Sequence, residues 1–195
     1  MLSRRALIMA GGNFALAAGP AGAAAVMTDD GFYREDWFLD SFLDLADDLK
    51  STVAVGKQLA VIWEQAGCPY CRDTHLINFA QKRVADYIRG HFEMIELDLH
   101  GSRVVTDFDG EKLGERQLAA KYGVRGTPTI QFFPDVDLGR KTPREREVNR
   151  ILGYLAPEDF LRMFAFVAER AYERGSLRDY LRRRPSLPSP VGGEG

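Results

Sequence analysis

Apolar residues change their spacing several times along this chain, and each change marks an element. From Arg34 to Lys50, Trp37, Phe38, Phe42, Leu45 and Leu49 recur at three- and four-residue intervals. This predicts an amphipathic helix with Asp40, Asp44, Asp47 and Asp48 on its solvated face. Ser51 to Gly56 reads as a connection, and Leu59 to Trp63 as an unbroken apolar run of strand length, the pattern of a central strand buried on both faces. Pro69 to Arg89 predicts a helix with a broad stripe (Leu76, Ile77, Phe79, Val84, Tyr87, Ile88), opened by Pro69 and ended by Gly90. Phe92 to Leu99 predicts a second strand. Gly101 to Gly114 predicts a small hairpin around Asp109-Gly110, followed by a short helix from Glu115 to Tyr122 with Gly123 at its end. Thr129 to Phe133 and Val148 to Leu152 predict neighbouring strands joined by a polar link. A last helix opens at Pro157 and buries Phe160, Leu161, Phe164, Val167 and Ala168.

Composition trims this picture at both ends. A chain of 195 residues with 45% hydrophobic and 28% charged residues holds one globular domain plus appendages. Ser3-Arg4-Arg5, the mild apolar run Ala6 to Ala18 and the small residues from Ala21 to Ala25 predict an export signal over residues 1–25, with paired arginines of the twin-arginine kind. Removing it takes Arg4 and Arg5 and no acid, which moves the formal charge from −2 to −4. That balance gives no footprint for nucleic acid, and no later apolar run is long enough for a membrane span. The domain is expected over residues 34–174, with a tail at 175–195 that is basic at Arg178, Arg182, Arg183 and Arg184 and then rich in Pro and Gly.

The chemistry concentrates in Cys68-Pro69-Tyr70-Cys71, which holds the chain's two cysteines. Two cysteines three apart, between a strand and a helix start, suit reversible disulfide formation: one helical turn brings both sulfurs to the same side. The first sulfur lies where unpaired backbone N–H groups favour the thiolate. It can be reached by another protein's disulfide, whereas Cys71, a turn inside, attacks the mixed disulfide that results. In an exported, oxidising setting the pair is expected to form a disulfide unless it is reduced. The rival chemistry is a metal site from Cys68, Cys71 and His75, but no second cysteine pair completes it. Haem attachment needs His directly after the second cysteine, where Arg72 stands. The letters D-F-D-G from Asp107 fall short of a calcium loop, and His91 and His100 read as surface residues.

A strand ending in C-x-x-C at a helix start, a further strand and helix, then Val124-Arg125-Gly126-Thr127-Pro128-Thr129 before a strand pair and closing helix resembles the thioredoxin fold over about residues 35–172. The resemblance implies an α/β domain with a central mixed sheet flanked by helices, here with a hairpin inserted before the helix that leads to the cis-proline motif. More narrowly, E-Q-A-G-C-P-Y-C with the hairpin and K-Y-G-V-R-G-T-P-T resembles the periplasmic thioredoxins encoded with bacterial sulfur-oxidation systems, the SoxW type. It implies Cys68 as attacking thiolate and Cys71 as resolving thiol, with Pro69, Tyr70, Thr127 and cis-Pro128 meeting the substrate and no cofactor beyond the dithiol. The Pro-Tyr dipeptide is glutaredoxin-like and implies a potential more oxidising than thioredoxin's, about −270 mV. Where thioredoxins carry a buried acid six residues before the first cysteine, this chain has Ile62; Glu64, two residues on and on the same face, is the expected proton-transfer carboxylate.

The activity implied is thiol–disulfide oxidoreduction by a periplasmic monomer, reductive in direction. Its expected partners are a membrane thiol–disulfide electron donor and either the sulfur-carrier protein of thiosulfate oxidation or a cytochrome c maturation client. A disulfide oxidase or isomerase uses the same residues, although a dimerisation segment of the isomerase kind is not evident. A non-catalytic binding module would bind its partner without either cysteine.

Overall fold

The structure, a computed structural model, describes residues 25–134 and 142–183. The export signal expected over residues 1–25 falls outside them apart from Ala25, as do Gly139 and the tail from Arg184 onward. Strands β1 (Val26–Met27) and β2 (Tyr33–Arg34) form a small antiparallel ribbon ahead of the domain. Helix α1 (Leu45–Ala54) leads to β3 (Gln58–Glu64), then α2 (Pro69–Asp73), a π-helical turn (Thr74–Phe79), α3 (Lys82–His91) and β4 (Phe92–Asp98). The hairpin β5 (Val104–Thr106) and β6 (Lys112–Gly114) follows, then α4 (Glu115–Lys121), β7 (Thr129–Phe133), α5 (Pro143–Arg146), β8 (Asn149–Leu152), α6 (Pro157–Ala168) and α7 (Leu177–Arg183).

The central sheet has the order β4-β3-β7-β8, with β4 parallel to β3 and the other pairs antiparallel. Its two faces carry separate cores. Ala60 and Ile62 of β3 join Met94, Ile130, Phe132 and Ile151 against α3 and α6, where Phe160, Leu161 and Phe164 are buried as expected. Leu59, Val61 and Trp63 point the other way with Ile95, Leu97 and Phe133, against Leu45 and Leu49 of α1 and Leu118 of α4. By the same alternation Glu64 shares the face of Ala60 and Ile62.

Three boundaries differ from the sequence reading. The helix expected from Arg34 starts at Leu45 and runs on through the expected connection to Ala54. Asp44 caps it by accepting from Asp47 N at 3.2 Å, after Leu43 turns the chain at φ +61°. Trp37 and Phe38 therefore reach the core from a loop, stacking edge-on against Phe79, while Phe42 is exposed. The long helix expected over Pro69 to Arg89 breaks at Gln81 and contains the π turn, and Gly90 lies inside α3. The basic segment near the C-terminus, expected as a helical turn or two outside the domain, is a helix that docks on it: Tyr180 is buried against Phe166, while Arg178, Arg182 and Arg183 stay exposed.

The inserted hairpin is where expected, and two charge clusters hold it. The buried Glu115 carboxylate accepts from Asp98 N at 2.9 Å, Arg103 N at 3.1 Å and the Arg103 guanidinium at 2.5 Å. Gly101 passes so close that an added Cβ would collide with this carboxylate. At the other end, Lys121 Nζ sits 2.5, 2.8 and 2.8 Å from carboxylate oxygens of Asp107, Asp109 and Glu111. The Lys121 ammonium group is thus the shared counter-charge of these three carboxylates.

Candidate active site

Local geometry at the cysteines follows from the residues around them. β3 ends at Glu64, and Gly67 takes φ +72°, the left-handed turn that glycine tolerates, before Cys68 caps α2. Pro69 occupies the first helical turn, where its missing N–H costs nothing. Cys68 Sγ accepts from Cys71 N at 3.1 Å, and the two residues form a disulfide with Cα atoms 5.3 Å apart. Cys71 is the more buried of the two.

Thr127-Pro128 is a cis peptide bond and faces the pair across the fold. Thr127 Oγ1 donates to Cys68 Sγ at 3.3 Å, so a hydroxyl is already aimed at the sulfur that would carry thiolate charge. Tyr70 is 58% exposed and stacks on Tyr154 at 6.5 Å, a two-ring apolar step beside the disulfide. Cys68, Cys71, Pro69, Tyr70, Thr127 and Pro128, named from the sequence, therefore come together at one end of the sheet. Tyr154 was not anticipated, since an isolated Tyr after Gly153 carries no signal of its own.

Glu64 is 1% exposed, not a carboxylate at a solvated strand end. It lines a cavity of about 240 Å³ with Cys68, Pro69 and Cys71, whose wall also includes Met27, Gly31, Phe32 and Tyr33 of the N-terminal hairpin. His75 lies behind it, fully buried, with Nε2 at 3.1 Å from Glu64 Oε2 and Nδ1 at 2.9 Å from Glu35 Oε1. Burial disfavours the imidazolium, but the two carboxylates outweigh it and push its pKa up to about 9. Glu96, next along the same patch, is pushed up to about 7 by burial and by Glu64, against the partial relief of Arg34.

With both ring nitrogens turned to carboxylates, His75 is not a third ligand beside the cysteines, and among the described residues no group of His, Cys, Asp and Glu is placed to hold a metal ion. His91 bonds Tyr87 O through Nδ1, and His100 lies exposed. Glu35 went unnoticed in the sequence because it sits in a stretch read as an amphipathic helix.

A disulfide-forming pair at a helix start, opposite a cis-proline at one end of a four-stranded mixed sheet, defines a thiol–disulfide oxidoreductase. The family model described as "Thioredoxin-like domain" matches residues 45–168, and the chain belongs to that family. Similar solved structures include a thioredoxin-fold protein from Helicobacter pylori, 24% identical, with a TM-score of 0.49 over 66% of this chain and 79% of that one. A thioredoxin from Thermus thermophilus is 19% identical, with a TM-score of 0.44 over 68% of this chain and 88% of that one. A DsbH oxidoreductase is 14% identical, with a TM-score of 0.44 over 85% and 96%. No curated protein sequence matches the chain.

Proposed function

We propose that this protein is an exported, monomeric thiol–disulfide reductase of the periplasm, of the kind that serves sulfur oxidation. One observation carries the protein-directed reading: Cys68 Sγ sits 3.3 Å from Thr127 Oγ1, beside the cis-proline backbone and the exposed Tyr70 ring. An extended client segment pairs with that backbone and brings its own sulfur to Cys68. The Cys68 thiolate attacks the client disulfide; a new S–S bond joins Cys68 to one client sulfur and the other leaves as thiolate. Cys71 loses its proton toward Glu64 and attacks Cys68 Sγ, releasing the second client thiolate and leaving the Cys68–Cys71 disulfide. Two electrons have passed to the client, and a membrane thiol–disulfide donor restores the dithiol. The client is the sulfur-carrier protein of thiosulfate oxidation or a cytochrome c maturation protein.

The test is a Cys71→Ala trap expressed with its export signal in a sulfur-oxidising bacterium, followed by identification of what is held on Cys68. Capture of one sulfur-carrier or cytochrome-maturation protein is expected. A broad set of secreted proteins would assign the oxidase or isomerase role instead, and partner binding that persists without either cysteine would assign a non-catalytic module.

A further inference from the structure

Behind Cys71 the fold buries three ionisable side chains in a line, and the two ends of that line open onto different cavities. Glu64, at one end, lines the cavity that contains Cys68 and Cys71. Glu35, at the other, lines a second cavity of about 220 Å³ whose wall includes Arg34, Asp40, Ser41, Glu96 and Arg103. His75 joins them with contacts of 3.1 Å and 2.9 Å and has no exposed surface. Apolar side chains of similar volume would hold these elements together at no electrostatic cost, since burying charged groups is often neutral at best for stability. The line is continuous and polar: Tyr33, Phe38 and Phe79 pack their rings around His75, and Glu96, bridged to Arg34, is a further charge that feels Glu64 and His75.

We propose that Glu64, His75 and Glu35 form a proton path from the disulfide cavity to the second cavity, which lets Cys71 lose its proton while a docked client covers the front of the site. The path deepens the reductase reading and rests on it. In the resolving step the Cys71 S–H bond breaks and the proton passes to Glu64. A proton moves on through His75, entering at Nε2 and leaving at Nδ1, to Glu35 and the second cavity. The Cys71 thiolate then bonds Cys68 Sγ, the Cys68–client bond breaks, and its electron pair leaves on the client sulfur, which takes a proton from water. No further oxidant or reductant is involved. His75 and Glu35 touch no reacting atom; they are positioning residues that act through Glu64.

A path of this kind matters when the front is blocked and not when it is open, which gives a test that a structural role would fail. Reduced wild-type protein and the variants His75→Gln and Glu35→Gln are mixed in single turnovers with insulin, a bulky protein disulfide, and with hydroxyethyl disulfide, a small one. Glu35→Gln keeps an oxygen to accept from Nδ1, so it removes the proton acceptor without removing the bond; urea unfolding confirms that each variant is folded. The rate with insulin, relative to that with hydroxyethyl disulfide, is expected to fall by at least about tenfold in both variants, less than the roughly 100- to 10,000-fold that a group transferring the proton directly contributes, since both act through Glu64. An unchanged ratio, whether both rates hold or both fall together, overturns the path. Wild-type protein that reduces neither disulfide overturns the reductase reading itself, a result distinct from the other two.

Discussion

Holding a histidine charged between Glu35 and Glu64 makes the stability of this fold depend on pH, in a window set by that ring. The pKa of His75 rises from 6.5 to about 9: burial opposes the shift, and the hydrogen bonds and charges of the two carboxylates overcome it. Because the folded value lies above the unfolded one, the folded state binds this proton more tightly. The stabilisation is therefore complete below about pH 6.5 and is lost as pH rises through about 9. One pKa unit corresponds to about 1.4 kcal/mol, so the full effect is about 3 kcal/mol, a large share of the 5–15 kcal/mol that holds an average domain together. The ring is wholly buried, so water screens little of this. The assay is urea unfolding, with the disulfide intact, of the wild type and His75→Gln from about pH 6 to about pH 9.5, where taking the difference cancels groups that His75 does not touch. Glu96 titrates nearby with a pKa of about 7, so both measurements belong in a Glu96→Gln background. The wild-type advantage is expected to shrink by about 3 kcal/mol across that range. An advantage that is constant, or that grows with pH, would refute the reasoning.

The same logic gives Glu96→Gln its own outcome. With a folded pKa raised to about 7, Glu96 costs stability that builds between about pH 4.5 and pH 7, and its bridge to Arg34, a side chain 45% exposed, does not compensate. The variant is expected to match the wild type near pH 4.5 and to exceed it by about 3 kcal/mol at pH 8 in denaturant melts. Lys121→Met leaves the buried Asp107 beside Asp109 and Glu111 without the ammonium, and is expected to cost about 3 kcal/mol and to speed amide exchange over residues 104–114. Thr127→Val removes the hydroxyl that donates to Cys68 Sγ, and is expected to lower the thiolate fraction of the reduced protein at neutral pH, read by ultraviolet absorbance, and to slow the first attack several-fold.

What could be read in the sequence was local. The C-P-Y-C pair, its strand and helix, the hairpin around Asp109-Gly110 and the Thr-Pro motif all declare themselves within about a dozen residues. The missed boundaries had competing signals. Trp37, Phe38 and Phe42 sit at spacings that suit a helix, yet Asp44 followed by Asp47 and Asp48 is an N-cap with an acidic first turn, and the cap is what the chain uses. Ser41 reinforces it: its hydroxyl accepts from Leu43 N at 2.7 Å and donates to Asp48 at 2.6 Å. The π turn at Thr74–Phe79 has no comparable signature, because its pattern is set by packing of Phe79 against Trp37, Phe38 and Phe160.

The buried line of charge was illegible for a different reason, and its parts explain one another. In the thioredoxin pattern the acid stands at the position of Ile62, whereas here that position is apolar core against α3 and α6. Moving the acid two residues along β3 keeps it on the same face and carries it about 7 Å toward the cysteines. A counter-charge has to come from the helix side, and His75, one turn after Cys71, is the residue whose ring reaches it. The second nitrogen of that ring then needs a partner of its own, and Glu35 arrives from the loop that the sequence disguises as a helix. Each step requires a residue distant in sequence, 11 positions for Glu64 and His75 and 40 for Glu35 and His75, so only the folded chain displays the line. The departure at Ile62 thus goes with a buried histidine that ties Glu64 at the end of β3 to Glu35 of the N-terminal loop.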